Sequence, residues 1–347
     1  MPESKLQNFN HLKIHSQYSI CEGAIKLDNL KEFSKDNKIR SLALCDTANL
    51  CGALEFAEKI SKVGTQPIIG TQINFKISNT IGLLPIFALN ERGYKRIIEL
   101  SSLSYLKDDE DAEPNLDFIE LLDKNNEGVS LFSGTINGLF GQLFDKGKFN
   151  EIDELYKKLK SEYSDRFYLE IQRHGDQNES SFEKFNLKKS LELKIPLIAT
   201  NEVFYINKEM YEAHDALICI KNKNYVNDKK RIKYSSEHYL KNDNEMSELF
   251  ADIPEALENN YNFPLRSSFR PLFSNPILPN ISSSKDGNAN EIIKKESFSG
   301  LKEKFIRFFN LKENEIKNNK KYLIYKDRLD HELEIIIKME YASYFLI

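Results

Sequence analysis

Short apolar runs alternate with longer segments of helical period from the start of the chain. The runs at 12–15, 41–45, 67–75, 83–89, 129–132, 167–171 and 197–200 are mostly apolar at every position, as a strand is when both of its faces are covered. Segments with apolar residues three and four apart lie at 27–36, 49–62, 91–105, 151–163, 181–193 and 208–220. In the third of these, Tyr94, Ile97 and Ile98 fall on one face. Strands separated by helices predict a parallel sheet with helices packed over it. About seven strands, with no GxGxxG turn after the first, favour a (β/α) barrel over a dinucleotide-binding sheet. There is no GxxxxGK[ST] loop, which excludes a P-loop ATPase.

The pattern changes near residue 263. Pro264, Pro271, Pro276 and Pro279 are followed by Ser282, Ser283 and Ser284 and by a polar stretch to Asn290, and together they predict an extended linker. Helical period returns at Glu291 and is strongly amphipathic over 325–340. The expected organisation is a tail at 1–9, an α/β domain at 10–265, a linker at 266–290 and a helical region at 291–347. The acidic stretch 107–114 reads as a loop. The last residues, 341–347, form an apolar run with no cap or stop signal, so a truncated chain is expected.

Composition narrows the class. Hydrophobic residues at 40% and charged residues at 29% fit a globular protein rather than a disordered one. No apolar run approaches the roughly 20 residues that span a bilayer, and the polar start at 1–10 lacks a secretory signal. Cys21, Cys45, Cys51 and Cys219 show no CxxC spacing, so free thiols and a cytoplasmic location are expected. With 49 basic residues interleaved among 53 acidic ones, the net charge of −4 argues against this segment being a nucleic-acid clamp by itself, because neutralising a phosphate backbone needs concentrated Lys and Arg.

The candidate chemistry sits at strand ends. Alternation along the first strand puts His11, Lys13 and His15 on one face. Asp46 follows the second strand, His174 the run at 167–171, and Glu202 the run at 197–200. Barrel enzymes gather reacting groups at such positions. Imidazole and carboxylate are the donors that Zn²⁺ or Mn²⁺ prefers. The plainer alternative is that each is an ordinary strand-end polar group making hydrogen bonds. Other residues point less clearly to chemistry. His214 and Asp215 are adjacent on a helix and diverge by about 100°, so helix packing explains them better than a catalytic pair. His238 and His331 lie in polar, helix-like surroundings and are expected to be exposed. Gly134, Gly138, Gly141 and Gly147 are too loosely spaced for a phosphate loop.

Several runs resemble motifs of bacterial DNA polymerase III alpha subunits, the replicative C-family polymerases. His11-Leu-Lys-Ile-His-Ser-Gln-Tyr-Ser resembles the first motif of their PHP (polymerase and histidinol phosphatase) domain, and Leu42-Ala-Leu-Cys-Asp-Thr-Ala-Asn-Leu-Cys-Gly resembles the second. Pro67-Ile-Ile-Gly, Asn90-Glu-Arg-Gly-Tyr, Tyr168-Leu-Glu-Ile-Gln-Arg-His-Gly and Ala199-Thr-Asn-Glu-Val follow in the family's order. Arg328-Leu-Asp-His-Glu-Leu and the residues 339–347 resemble the helical start of the polymerase palm. The resemblance covers essentially the whole chain. It implies an α/β fold with a PHP-type (β/α)7-like distorted barrel, followed by the start of a helical palm region.

The family's PHP metal site carries over only in part. His15, Asp46 and His174 stand where ligands or their neighbours are expected, while Glu22 and Glu202 replace aspartates. Lys13 and Thr47 replace histidines, Gln72 a glutamate, and Leu83 and Phe204 two further histidines. Thr135 stands where a Cys or His is common. The expectation is a degenerate site without PHP metal, in which the Lys13 ammonium takes the vacated position and pairs with carboxylates such as Asp46 or Glu202. A solvent-reaching Lys13 is the alternative.

For the full protein, the resemblance implies DNA-directed DNA polymerisation from dNTPs with two Mg²⁺ held by palm aspartates expected beyond Ile347. It also implies docking of a proofreading exonuclease subunit on the PHP domain, and interactions with the sliding clamp and clamp loader through other regions. No membrane association is expected. The competing readings are a stand-alone metal-dependent PHP phosphoesterase or 3′→5′ exonuclease, and a non-catalytic binding module.

Overall fold

A computed structural model describes residues 9–106, 113–274, 288–309 and 311–347. Nine strands form among these residues, seven at the expected apolar runs and two short ones, at 115–117 and 202–203, outside them. The main sheet runs β2 (Ser41–Thr47), β3 (Gln66–Ile77), β4 (Thr80–Ala88), β6 (Val129–Phe132), β7 (Phe167–Ile171) and β8 (Leu197–Ala199), with β5 (Asn115–Asp117) beside β3. It curls into a half-barrel. A separate parallel ladder joins β1 (Lys13–Ile14) to β9 (Glu202–Val203), with Lys13 opposite Glu202.

The sheet departs from the expected parallel order at one strand. β4 runs antiparallel to both β3 and β6, whereas β2–β3, β3–β5, β6–β7 and β7–β8 are parallel. Ile77 pairs with Thr80, leaving only Ser78 and Asn79 to turn the chain, with Ser78 at a φ of 52°. Two residues can close a hairpin but cannot carry the crossover that a parallel pair needs.

Alternation along β2 shows why its residues are apolar at every position. Leu42 and Leu44 pack outward with Leu27, Leu30, Phe56 and Ile60, beneath the helices Leu27–Asp36 and Ala53–Ser61. Ala43 and Cys45 instead join Ile68, Phe87, Phe132, Tyr168 and Phe263 in a second cluster. Truncating a fully buried ring such as Phe132 to alanine costs about 3–5 kcal/mol. The helix expected from residue 49 starts at Ala53 because Asn49 is used otherwise. Its amide donates to the Tyr18 and Thr47 carbonyls, and Ala48 before it is left-handed at a φ of 57°. The helix Glu91–Ser104 begins at Asn90, whose side chain accepts the Gly93 amide at 2.9 Å. A glycine is needed at 93 because a Cβ there would lie 1.9 Å from the Gly128 carbonyl oxygen.

The expected linker begins as docked chain. Arg266 donates to the Asp165 carbonyl and to the Tyr168 hydroxyl at 2.6 Å, and the Ser268 amide reaches the Leu89 carbonyl at 2.8 Å. Residues 275–287 of the expected linker and 107–112 of the expected acidic loop at 107–114 lie outside the described residues, and the helix Ala289–Phe309 begins just before the expected linker end at 290. The described residues divide into two units, one ending at Phe273 and one starting at Ser274. In the second, the helices Ala289–Phe309, Lys320–Lys338 and Ala342–Leu346 share a small core of Ile293, Leu333 and Ala342. Asn319 caps the helix Lys320–Lys338, and Glu340, at a φ of 59°, breaks the chain before the final helix. No helix among the described residues is long and apolar enough to cross a membrane.

Candidate functional site

The β1–β9 ladder fixes the centre of the site. Register places Lys13 beside Glu202, and β7 delivers Glu170 to the same ammonium. Lys13 is fully buried, with Nζ 3.2 Å from Glu202 Oε1 and 3.5 Å from Glu170 Oε1. Glu202 Oε1 also accepts from Gln72 Nε2 at 2.7 Å and lies 3.2 Å from His15 Nε2. Glu170 Oε1 accepts from the Thr200 hydroxyl and from Gln172 Nε2 at 3.0 Å, while its Oε2 is buried without a partner among the described residues.

Electrostatics sorts the three charges. Burial works against the Lys13 ammonium, but Glu170 and Glu202 override it and hold the group above the ordinary lysine value. Burial likewise opposes ionisation of Glu202, yet Lys13 and then His15 hold it well below the usual carboxylate range. For Glu170 burial wins over Lys13, and its carboxyl is raised. Lys13 and Glu202 therefore form the ionised pair, and Glu170 is the carboxyl more readily protonated.

Asp46 was the other expected partner of Lys13, and serines engage it instead. It accepts from the Ser16 amide at 2.6 Å, the Ser16 hydroxyl at 2.8 Å and the Ser19 hydroxyl at 2.7 Å. Ser19 Oγ and Thr47 Oγ1 lie 3.4 and 3.3 Å from His15 Nδ1, so one polar chain joins Asp46 to His15 and Glu202. Burial raises the Asp46 carboxyl despite these donors.

His174 and His238 both hydrogen-bond the backbone of Glu202. Their rings stack at 4.1 Å and 2°. His174 Nε2 lies 3.2 Å from the Glu202 amide and 3.1 Å from Asn201 Oδ1, and its Nδ1 is 3.5 Å from Glu179. His238 Nδ1 donates to the Glu202 carbonyl at 3.0 Å. The sequence placed His238 on the surface, but it is 2% exposed, because the Tyr205–Tyr239 bridge brings its loop against β9. Burial, and then the neighbouring His174, hold it well below the ordinary histidine value, and its Nε2 has no partner among the described residues.

The remaining candidates stand apart. The Glu22 carboxylate lies 3.9 Å from Lys221, and its carbonyl receives His214 Nε2 at 2.9 Å, so Glu22 serves the helix Tyr211–Lys221 rather than the Lys13 cluster. His214 is buried and stacked on Phe204, and Asp215 pairs with Arg231. His331 is exposed in the second unit. His11 is buried and bonded to the Lys241 carbonyl at 2.8 Å.

A PHP-domain family model matches residues 11–174. The chain is 35% identical over 360 residues to the DNA polymerase III subunit alpha of Caulobacter vibrioides, covering all of this chain and 30% of that protein. It is 35% identical over 344 residues to that of Rickettsia felis, covering 98% of this chain and 28% of the relative. Residues 11–174 thus match the PHP domain, and the chain as a whole is similar to part of DNA polymerase III alpha subunits. It spans about 30% of the length of the relatives it matches. Among solved structures, an amidohydrolase from Chromobacterium violaceum is a distant likeness, at 10% identity and a TM-score of 0.39 over 60% of this chain and 96% of that one.

The donors of this PHP domain do not fit a divalent metal. A cation bound by Glu202 would lie about 2.0–2.2 Å from its oxygen, beside an ammonium that is itself 3.2 Å from that oxygen. A dipositive ion about 4 Å from an ammonium is opposed by on the order of 8 kcal/mol at an effective dielectric of about 20. Phe204 covers one side of His15, with ring centroids 4.7 Å apart, and offers no lone pair. Among the described residues, no group of three or more His, Cys, Asp or Glu side chains is arranged to hold a metal ion.

Proposed function

We propose that this chain is the PHP-containing part of a replicative DNA polymerase III alpha subunit, and that its PHP domain is a non-catalytic scaffold in which the Lys13 ammonium stands in for a metal. The observation that carries this reading is the buried Lys13 held between Glu170 and Glu202, in a chain similar over its full length to part of the alpha subunits. An ammonium keeps the two carboxylates together as a cation would, but it cannot activate water or clamp two phosphoryl oxygens.

Polymerisation then belongs to the full protein, which extends a primer 3′ end with dNTPs and Mg²⁺ through residues outside this chain. In this reading residues 10–265 form the PHP domain, 266–290 a linker, and 291–347 the start of the palm. DNA, a proofreading exonuclease docked on the PHP domain, and the sliding clamp and clamp loader are the partners, in the cytoplasm. The test pairs two assays. The full-length protein is expected to extend a primed template, and the chain alone to release no nucleotide or phosphate from 3′-labelled DNA with Mn²⁺ or Zn²⁺. Metal-dependent release by the chain alone would overturn the scaffold role, and absence of extension by the full protein would overturn the polymerase assignment.

A further inference from the structure

After the helix Tyr211–Lys221, the chain forms an exposed basic loop before it returns to His238. Residues 221–233 carry six basic side chains (Lys221, Lys223, Lys229, Lys230, Arg231 and Lys233) against Asp228 alone, in a chain whose net charge is −4. The loop is built rather than loosely strung. Arg231 grips Asp215 in a two-point pair at 2.5 and 2.7 Å, and its Nε donates to the Val226 carbonyl at 3.1 Å. Asp228 closes a tight turn, accepting the Tyr225 amide at 2.7 Å and donating its own amide to the Tyr225 carbonyl at 3.0 Å.

Those bonds decide which charges remain free. Arg231 is committed to Asp215, and Lys221 lies 3.9 Å from Glu22. Lys233 lies over the Tyr211 ring, 5.9 Å from its centroid, and Lys223, Lys229 and Lys230 are exposed with no carboxylate within ion-pair distance among the described residues. Between them in sequence, the turn holds Tyr225 at 81% exposure. A large aromatic ring held out into water, in a segment that also carries these three exposed lysines, has no role in the packing of the domain.

We infer that this loop binds single-stranded nucleic acid, with Lys223, Lys229 and Lys230 taking successive phosphates and Tyr225 stacking on an unpaired base. Lysines on the backbone and an aromatic platform for the bases are the two components that sequence-tolerant single-strand binding requires. A duplex keeps its base faces stacked inside, so Tyr225 gains only from an unpaired strand. An acidic peptide would use the lysines and leave the ring without a partner. The inference goes beyond the polymerase reading and does not depend on it, since it concerns binding by the chain itself.

The test measures anisotropy of a fluorescein-labelled oligothymidylate of about 20 nucleotides with the whole 347-residue chain, over a series of salt concentrations. Tyr225→Ala is expected to weaken binding roughly 5- to 150-fold. The triple variant Lys223→Gln, Lys229→Gln, Lys230→Gln is expected to flatten the slope of log K against log salt by about 2, or about 0.7 for each phosphate no longer neutralised. A duplex of the same length should bind more weakly and be indifferent to Tyr225→Ala. All four side chains are exposed, so an unchanged thermal midpoint will show that the variants remain folded. The inference fails if oligothymidylate does not bind at low salt, or if both variants keep the parent affinity and salt slope. It also fails if the duplex binds as tightly as the single strand.

Discussion

Replacing Lys13 by methionine keeps most of the side chain's length and removes its charge, which isolates what the ammonium contributes. In the parent protein Glu202 is held below its ordinary value of 4.5, so its contribution to stability is present above that pH and is lost as pH falls through the folded value. Lys13 is held above its ordinary 10.5, so its contribution is complete below that pH and is lost as pH rises through the folded value. Both contributions are therefore present across neutral pH. Breaking one side of a buried ion pair costs about 3–5 kcal/mol. Gln72 and His15 remain on Glu202, and Thr200 and Gln172 on Glu170, which places Lys13→Met near the lower end, at about 3 kcal/mol. For a domain of this size that corresponds to a fall in Tm of roughly 6–12 °C, read by calorimetry near neutral pH. Without the ammonium, Glu202 takes up a proton more readily, so the deficit should shrink as pH is lowered toward about 5. Adding Glu202→Gln should recover most of the loss, because it removes the stranded charge. A Tm within about 2 °C of the parent near neutral pH, or a deficit that stays constant on acidification, would refute the reasoning.

The parent chain itself should lose stability on acidification, because burial holds His11 at about 4 and His238 well below its ordinary 6.5. Both fold in the neutral form, so their contribution is complete above pH 6.5 and is lost below it. At about pH 5 His11 alone costs about 2 kcal/mol in urea unfolding, and equal stability at about pH 7 and 5 would contradict this. Asp46→Asn sets an amide against three donors from Ser16 and Ser19 and should cost about 1–3 kcal/mol by the same assay, with a neutral effect as the contrary result. Gly93→Ala drives a Cβ to 1.9 Å from the Gly128 carbonyl oxygen and should cost about 3 kcal/mol or more, whereas a loss under about 0.5 kcal/mol would show that the backbone yields.

Much of the sheet was legible because β2, β3, β6 and β7 are apolar runs of strand length between helical segments. The direction of β4 was not, because the Ser78–Asn79 turn carries neither glycine nor proline to announce a hairpin. His15, Asp46, His174 and Glu202 were readable as polar residues at strand ends, and the structure brings His15 and His174 against Glu202 and links Asp46 to His15 through Ser19. Their exact partners depended on distant neighbours: Ser16 and Ser19 claim Asp46, and the charge that completes the Lys13 site comes from Glu170. Glu170 did leave a signal. It falls between Tyr168 and Gln172 in the alternation of β7, on the face opposite the helix-covered Phe167, Leu169 and Ile171. His238 left none, since its polar surroundings in sequence say nothing of the Tyr205–Tyr239 bridge that buries it.

The central claim, that an ammonium fills the place of a metal, is tested most directly by equilibrating the purified chain with Zn²⁺ or Mn²⁺, removing free ion by gel filtration, and measuring bound metal by mass spectrometry. The account predicts far less than one equivalent per chain and no rise in Tm with added metal. One or more ions retained per chain, with a metal-dependent rise in Tm that Glu202→Gln abolishes, would contradict it.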